Sequence, residues 1–191
     1  MNWLEEIREA NGRFKEKVDI DVLPTERQPC PYAILTCMDP RINLEAAGIK
    51  PFKCSGELKS QVRVIRTLGG ISEDRSLVVG IHLAGFKEIA VVMHTDCGCS
   101  LAHSKIDTLI KNMQSNLSPE KWEGFKKFVG DPLRDRLREW LHAFEDPRKA
   151  VRKEVEAIKD HSFAPESLVV HGLVYDLSSG AIEVVINGYE S

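Results

Sequence analysis

Residue types that bind zinc occur in two short clusters of the sequence. The first cluster begins at Cys37 and reads CMDPR, and the second begins at His94 and reads HTDC. Two cysteine thiolates and one imidazole supply three ligands to a tetrahedral zinc ion and leave the fourth position open for water. An open position is typical of catalytic zinc, because structural zinc is usually closed by four protein ligands. Cys37, His94 and Cys97 therefore predict a catalytic zinc site.

Asp39 and Arg41 follow the first predicted ligand and indicate what the metal is for. Zinc held by two thiolates and a neutral imidazole carries little net charge, so it acidifies bound water less than a three-histidine zinc does. An ionised Asp39 can accept a hydrogen bond from that water or hydroxide, and Arg41 can keep the carboxylate ionised and in place. A surface ion pair, worth about 0–1 kcal/mol, is the alternative for these two residues. Next to the predicted ligands, we favour the catalytic role.

The elements that must position these clusters alternate between strands and helices. Apolar, β-rich runs predict strands at Tyr32–Thr36, Val62–Arg66, Glu88–Met93 and Leu168–Tyr175, with a helix at Glu73–Phe86. This alternation favours an α/β fold with a mostly parallel sheet flanked by helices. In a strand order of 2-1-3-4, the carboxyl ends of the first and third strands flank the switch point, where open α/β sheets bind ligands. Since the two clusters follow those strands, we expect them to meet there.

The two ends of the chain are predicted to add a helix and an edge strand. An apolar stripe over residues 2–18 predicts an amphipathic helix, and prolines make residues 21–31 a loop or extended arm. The sequence SSG at residues 178–180 predicts a hairpin turn. Residues 181–186 would then form one antiparallel strand at the edge of the sheet.

Aspartates at three positions are expected to begin helices. Asp131 and Asp146 each precede a proline, and we expect them to cap two charged surface helices near residues 132–144 and 147–160. Asp96 can either orient the neighbouring histidine or cap the next helix, and we favour the cap.

Length, charge and cysteine count limit the class of protein. The 191 residues suit one domain, in which residues 1–30 form a helix and arm and residues 31–191 a zinc-binding core. The net charge of −3, with both signs mixed, favours a small-molecule substrate over a nucleic-acid or membrane partner. No signal core or bilayer-spanning apolar run is evident. Five cysteines favour metal binding or reduced thiols over a disulfide framework, which predicts a cytoplasmic protein.

The motif Cys-x-Asp-x-Arg followed by His-x-x-Cys-Gly resembles the β-class carbonic anhydrases. The similarity extends to Val64–Gly70, which resembles the family's glycine-bearing loop after the second strand, and to His171–Asp176, which resembles its late strand. It covers residues 30–186, with the helical stretch at 115–160 matched only loosely.

The resemblance implies a zinc-dependent carbonic anhydrase, a lyase in which zinc-bound hydroxide converts carbon dioxide to bicarbonate and a proton. The implied metal ligands are Cys37, His94 and Cys97, and the implied catalytic dyad is Asp39 and Arg41. A homodimer or higher homo-oligomer is implied as well. Its N-terminal helix packs on the neighbouring subunit, which also completes the active site.

Departures from the family pattern keep a second substrate class open. Thr67 and Leu68 stand where the family usually has asparagine and alanine, and residues 50–61, with Cys54 among them, form an enlarged loop near the expected substrate entrance. Hydrolases of carbonyl sulfide and carbon disulfide share the family's metal site. A hydrolase of either compound is therefore the alternative to a carbonic anhydrase.

Cys99 raises two alternatives without catalysis. As a fourth ligand it would close the site and leave a structural zinc module for dimerisation. Together with Cys97 it would suit a zinc- or redox-sensing protein. Both alternatives leave Asp39 and Arg41 without a role, so we favour the enzyme.

Overall fold

Five strands form one mostly parallel sheet. The computed structural model describes residues 2–17, 30–44 and 62–190 of the chain. Its strands are β1 (Tyr32–Cys37), β2 (Val62–Thr67), β3 (Glu88–His94), β4 (Val169–Tyr175) and β5 (Ile182–Ile186). Their order is β2-β1-β3-β4-β5, with β5 antiparallel to β4 and all other pairs parallel. The predicted fold class and strand order are confirmed.

Helices occupy most of the remaining described residues. They are α1 (Trp3–Lys17), α2 (Asp74–Val79), α3 (Gly98–Ser104), α4 (Ile106–Asn116), α5 (Pro119–Val129), α6 (Leu133–Trp140) and α7 (Pro147–Asp160). A 3-10 turn at Leu68–Gly70 follows β2, and a π-helical turn at Gly80–Ala84 continues α2. In the described ranges, none of these helices has the length and apolar character needed to cross a membrane.

The central strands β1 and β3 carry buried side chains on both faces, as expected when both faces of a parallel sheet are covered. On one face, Leu35, Val91 and Met93 pack beneath α7. On the other face, Ile34 and Val92 pack in a second cluster that also contains Cys37 and Cys97. The predicted metal ligands therefore belong to a rigid, buried part of the molecule.

α7 begins where predicted and lies on the surface, with one face packed on the sheet. The Asp146 carboxylate accepts a hydrogen bond from the backbone N–H of Arg148 at 2.8 Å, which confirms the predicted cap.

α7 buries Val151, Val155 and Ile158 against the sheet. These residues lie on one helical stripe, and most of the charged residues between them are exposed. Glu154 is the exception: it is buried, and its carboxylate accepts a hydrogen bond from the backbone N–H of Ser72 at 2.7 Å. The overall charge of the segment concealed this stripe from the sequence analysis.

α6 begins and ends at different residues from those predicted. Its N-cap residue is Pro132 rather than Asp131, and no side chain bonds to the first turn. The helix ends at Trp140, and His142 has a left-handed backbone with φ 49°. A left-handed residue cannot continue a right-handed helix, so the predicted extension to residue 144 is wrong.

α1 confirms the predicted N-terminal helix, but none of its side chains is buried. Trp3, Leu4, Ile7 and Phe14 are all exposed on one stripe. A single helix of this length is only marginally stable in water, so the stripe requires a partner. Most of the predicted arm at residues 21–31, and the whole enlarged loop at residues 50–61, lie outside the described residues.

Candidate metal centre

Three of the predicted site residues lie together at the carboxyl edge of the sheet. Cys37 ends β1, His94 ends β3, and Cys97 is the N-cap residue of α3. Their ligand atoms lie within 4.8 Å of one another, and all three residues are buried. No other cluster of this kind occurs in the part of the chain that the structure describes. The structure thus brings together the predicted ligands in an arrangement that can hold a metal ion.

The geometry of this cluster fits a tetrahedral zinc ion. The Sγ atoms of Cys37 and Cys97 are 3.8 Å apart, and two sulfurs at about 2.3 Å from one tetrahedral zinc are separated by about 3.8 Å. His94 donates from Nδ1 to the carbonyl oxygen of Thr95 at 2.8 Å, which leaves the Nε2 lone pair for a metal. Among the described residues, this Nε2 is the buried side-chain polar atom that lacks a hydrogen-bond partner. A metal ion bound to Nε2 would remove the free-energy cost of burying this atom without a partner.

The two cysteines shift each other's pKa in opposite directions. A hydrogen bond from the Cys97 thiol lowers the pKa of Cys37, against the opposing effect of burial. The same interaction raises the pKa of Cys97, and burial raises it further. The pair therefore accepts one negative charge readily and resists a second. A divalent cation between the sulfurs would stabilise both thiolates, because ligating thiols lose their protons.

Hydrogen bonds to neighbouring strands fix the residues that bear the ligands. The Thr36 hydroxyl donates to the carbonyl oxygen of Val92 at 2.7 Å, which ties the end of β1 to β3. Thr95 donates from its backbone N–H to the carbonyl oxygen of Tyr175 at 3.0 Å. Its hydroxyl also accepts from the backbone N–H of Leu177 at 3.0 Å. Both ligand loops are thus anchored to the sheet at their first residues.

Asp39 and Arg41 form the predicted ion pair. Arg41 donates from Nε to Oδ1 of Asp39 at 3.0 Å and from Nη2 to Oδ2 at 2.7 Å. The backbone N–H of Arg41 donates to Oδ1 as well, at 2.9 Å. These hydrogen bonds, and then the positive charge of Arg41, hold the pKa of Asp39 well below its usual range. Asp39 is therefore an ionised hydrogen-bond acceptor two residues from Cys37.

Asp96 does not cap α3, so the expected cap is wrong. The N-cap residue is Cys97, and no side chain bonds to the first turn of the helix. The Asp96 carboxylate instead accepts from Nη1 of Arg41 at 2.7 Å. A charged guanidinium is a stronger partner for a carboxylate than a backbone N–H, which explains the difference.

Arg66 contacts the Cys37 loop, although the sequence analysis did not select it as a site residue. Its Nη1 donates to the carbonyl oxygens of Cys37 at 3.0 Å and of Asp39 at 3.3 Å. A longer bond runs from Nη2 to the carbonyl oxygen of Ile42 at 3.4 Å. The signal for this role is not local, because it depends on the register that pairs Arg66 with Thr36, next to Cys37.

Cys99 lies outside the cluster of the three predicted ligands. Its Sγ lies 3.8 Å and 3.6 Å from the carbonyl oxygens of Leu141 and His142. Burial raises the pKa of its thiol to about 11. The Cys99 Sγ is not part of the cluster that the three predicted ligand atoms form, and a buried thiol that keeps its proton is a poor redox sensor. The structural zinc module requires Cys99 as a fourth ligand, and the zinc- or redox-sensing protein requires it as a reactive thiol. In the part of the chain that the structure describes, Cys99 is suited to neither role.

Two glycines allow the turn after β2 to pack closely against the ligand region. Gly69 and Gly70 have left-handed backbones, with φ 67° and 78°. A Cβ atom on Gly69 would lie 3.0 Å from Cβ and 3.1 Å from Sγ of Cys99. A Cβ atom on Gly70 would lie 3.4 Å from the backbone nitrogen of Cys37. The two glycines therefore allow β2 to turn close to both cysteines.

We expect Gly69→Ala to lower the free energy of unfolding by about 1–3 kcal/mol, because it adds left-handed strain and a contact in a packed interior. Urea unfolding of the metal-loaded protein measures the change. Gly124→Ala in α5 is the control, since a Cβ there meets nothing within 4 Å. That substitution should be stabilising by about 0.5–1 kcal/mol. Equal stability of the Gly69→Ala variant and the wild type would contradict the prediction.

Both the fold and the sequence are similar to those of known proteins. The fold matches the crystal structure of β-carbonic anhydrase isoform I from Trichomonas vaginalis with a TM-score of 0.75 and 28% sequence identity, over 99% of this chain and 100% of that one. The sequence is 30% identical over 200 residues to YtiB of Bacillus subtilis (strain 168), a carbonic anhydrase candidate by name, with 100% of both chains covered. The chain belongs to the β-carbonic anhydrase family. No family model matches the sequence.

The relatives of this chain also include carbon disulfide hydrolases. The chain is 29% identical over 163 residues to the carbon disulfide hydrolase of Saccharolobus solfataricus (strain ATCC 35092 / DSM 1617 / JCM 11322 / P2). That match covers 76% of this chain and 72% of the hydrolase. Family membership therefore narrows the chemistry of the site but does not select one substrate.

Proposed function

We propose that the protein is a zinc-dependent carbonic anhydrase that converts carbon dioxide and water reversibly to bicarbonate and a proton. The observation that carries this proposal is the convergence of Cys37, His94 and Cys97, with the Asp39–Arg41 pair beginning two residues from the first of them. Three protein ligands leave one tetrahedral position for a reactant. Similarity to carbonic anhydrases over the full length of the chain supports the same reaction.

In this mechanism each site residue has a separate task. Cys37, His94 and Cys97 would hold zinc, which supplies a nucleophile at neutral pH by lowering the pKa of water. Asp39 is ionised at neutral pH, and Arg41 lowers its pKa further, so its carboxylate accepts a hydrogen bond from the attacking water and orients it. Arg41 keeps that carboxylate in one orientation through its planar fork of donors. The proton released in the reaction passes to solvent.

Hydrolysis of carbonyl sulfide or carbon disulfide is the second candidate function, and the similarity to carbon disulfide hydrolases favours it. Both sulfur compounds are linear, electrophilic at carbon and close in shape to carbon dioxide, so the same nucleophile can attack them. The choice between them and carbon dioxide depends on the pocket around the site. Residues 50–61, which the sequence analysis placed near the entrance, lie outside the described residues.

Stopped-flow hydration of carbon dioxide at about pH 8.5, with zinc-loaded protein, tests the proposal, because histidines are largely neutral at that pH. We expect rapid hydration that disappears when the metal is removed by a chelator and returns with added zinc. Sulfide release from carbon disulfide and carbonyl sulfide is measured in parallel. Negligible hydration together with sulfide release would reassign the protein to the second function.

We further propose that the protein forms a homodimer or larger assembly in which α1 packs on a neighbouring subunit. The exposed stripe of Trp3, Leu4, Ile7 and Phe14 supports this proposal, because four large apolar side chains on one helix face form a typical contact surface. The cytoplasmic location expected from the cysteine content stays a prediction.

We expect Ile7→Lys to shift the protein toward the monomer, because a charge in an apolar interface is costly to desolvate. Sedimentation velocity over a range of protein concentrations measures the shift. Glu16→Lys is the matched control, since residue 16 lies on the opposite face of the same helix. An identical distribution of assemblies for both variants would contradict a role for the apolar stripe.

A further inference from the structure

The Arg41 guanidinium joins the two loops that bear the predicted metal ligands. Its Nε and Nη2 atoms donate to the carboxylate of Asp39, at 3.0 Å and 2.7 Å. Its Nη1 donates to Oδ2 of Asp96 at 2.7 Å, and Nη2 also donates to the backbone carbonyl oxygen of Asp96 at 2.8 Å. Asp96 therefore binds one whole edge of the guanidinium while Asp39 binds another. This arrangement uses most of the five N–H donors that arginine possesses.

The backbone of Asp96 is adapted to this contact. Asp96 lies between His94 and Cys97 and has a left-handed conformation with φ 52°. Aspartate, asparagine and glycine adopt this conformation at lower cost than other residues. The carbonyl oxygen and the carboxylate of Asp96 both reach Arg41, and neither serves the N-terminus of α3. The conformation thus serves the contact with Arg41 rather than the helix.

The exposure of the three side chains indicates what the contact can do. The side chain of Asp39 is 13% exposed, that of Arg41 is 51% exposed and that of Asp96 is 81% exposed. An ion pair this open to solvent contributes little to global stability. Its effect must therefore be local. The planar guanidinium cannot turn away from Asp39 without breaking its bonds to Asp96.

We propose that Asp96 is a positioning residue that anchors Arg41 to the His94–Cys97 loop and thereby fixes the orientation of the Asp39 carboxylate. Asp96 touches neither the substrate nor the predicted metal in this role. It acts through Arg41, and Arg41 acts through Asp39. The catalytic consequence rests on the proposed function, whereas the anchoring of Arg41 does not depend on which substrate the site accepts.

Two substitutions distinguish the contribution of the Asp96 carboxylate from that of the Asp96 backbone. Asp96→Gly removes the carboxylate, keeps the carbonyl acceptor and adopts the left-handed conformation without strain. Asp96→Asn keeps a side-chain acceptor and tolerates the same conformation, but loses the charge. The matched control is Asp107→Asn, because Asp107 is also an exposed aspartate that is ion-paired with an arginine, Arg134, outside the site.

For the zinc-loaded variants, zinc content, kcat and KM for carbon dioxide are measured, together with hydrogen exchange of the Arg41 Nε–H by nuclear magnetic resonance. In Asp96→Gly we expect full zinc content, an unchanged KM, a kcat about tenfold lower and faster Nε–H exchange, since one charge-assisted hydrogen bond and its alignment are lost. Asp96→Asn should be intermediate, and Asp107→Asn should match the wild type.

Unchanged kcat and unchanged Nε–H exchange in Asp96→Gly would overturn the proposal, and so would loss of zinc, which would assign Asp96 to ligand retention instead. If the wild type does not hydrate carbon dioxide, the proposed function fails and sulfide release from carbon disulfide supplies kcat. The Arg41 exchange rate then still decides the inference: faster exchange in Asp96→Gly supports it, and an unchanged rate overturns it.

Discussion

Replacement of Cys37 by serine is expected to abolish both zinc binding and catalysis. Serine is almost the same size as cysteine, so the buried end of β1 should keep its packing. Its hydroxyl does not ionise near neutral pH, however, and a hydroxyl is a far weaker zinc ligand than a thiolate. With two ligands left, we expect a zinc content near zero and a loss of at least about 10³-fold in kcat/KM, because the metal generates the nucleophile.

Cys99→Ser is the matched control for this experiment. Cys99 is as fully buried as Cys37, and a serine hydroxyl can donate to the same carbonyl oxygens that Cys99 Sγ approaches. This variant should retain zinc and activity. Metal analysis by mass spectrometry and thermal unfolding with and without zinc provide the measurements, since a bound ion stabilises the folded state. Zinc loss from Cys99→Ser would instead support the alternative in which Cys99 is the fourth ligand of a closed, structural zinc site.

The positions of the predicted ligands could be derived from the sequence because they depend on burial and strand order. The apolar, β-rich runs before Cys37 and His94 predicted strands of a covered sheet, and both ligands end those strands. Parallel strands bring their carboxyl ends to the same edge, so the two clusters had to meet if the order was right.

The contacts of Asp96 and Arg66 could not be derived in the same way. Asp96 departs from helix capping because a partner 55 residues earlier in the chain, Arg41, competes for its carboxylate. Arg66 acts through a strand register that no local pattern encodes. The face of α7 that packs on the sheet was not identified for a related reason, since the stripe of Val151, Val155 and Ile158 is narrow and the segment is rich in charge. Long-range partners decide all three cases.

Replacement of Arg41 by alanine is expected to lower kcat by about 10²-fold and to leave most of the zinc in place, because positioning an acceptor contributes a few kcal/mol to a transition state. The three predicted ligands make no hydrogen bond to the Arg41 side chain in the structure. Asp39, by contrast, would lose its three contacts with the guanidinium. Arg41→Lys should recover only part of the rate, since an ammonium group keeps the charge but not the fork.

The pH dependence of the Arg41→Ala variant separates orientation from ionisation. Arg41 lowers the pKa of Asp39, so its removal should return that pKa toward the usual carboxyl value. At about pH 8.5 Asp39 is ionised in both proteins, because an ordinary aspartate has a pKa near 4, and a slower rate there reports lost orientation. A lowered pKa stabilises the folded state above the unfolded pKa, and this contribution disappears as the pH falls through the folded value. The variant should therefore lose less stability than the wild type on acidification.

Arg134→Ala provides the comparison for Arg41→Ala, since Arg134 is an equally exposed arginine that pairs with Asp107 away from the site. Stopped-flow rates between about pH 6 and pH 9, spanning the range in which histidines titrate, are measured with zinc content for both variants. Retained zinc with a slow rate in Arg41→Ala, and a normal rate in Arg134→Ala, would show that the guanidinium beside Asp39 acts on catalysis rather than on the fold. A normal rate in Arg41→Ala would mean that Asp39 needs no partner, and the ion pair would then be an ordinary surface pair beside a metal site.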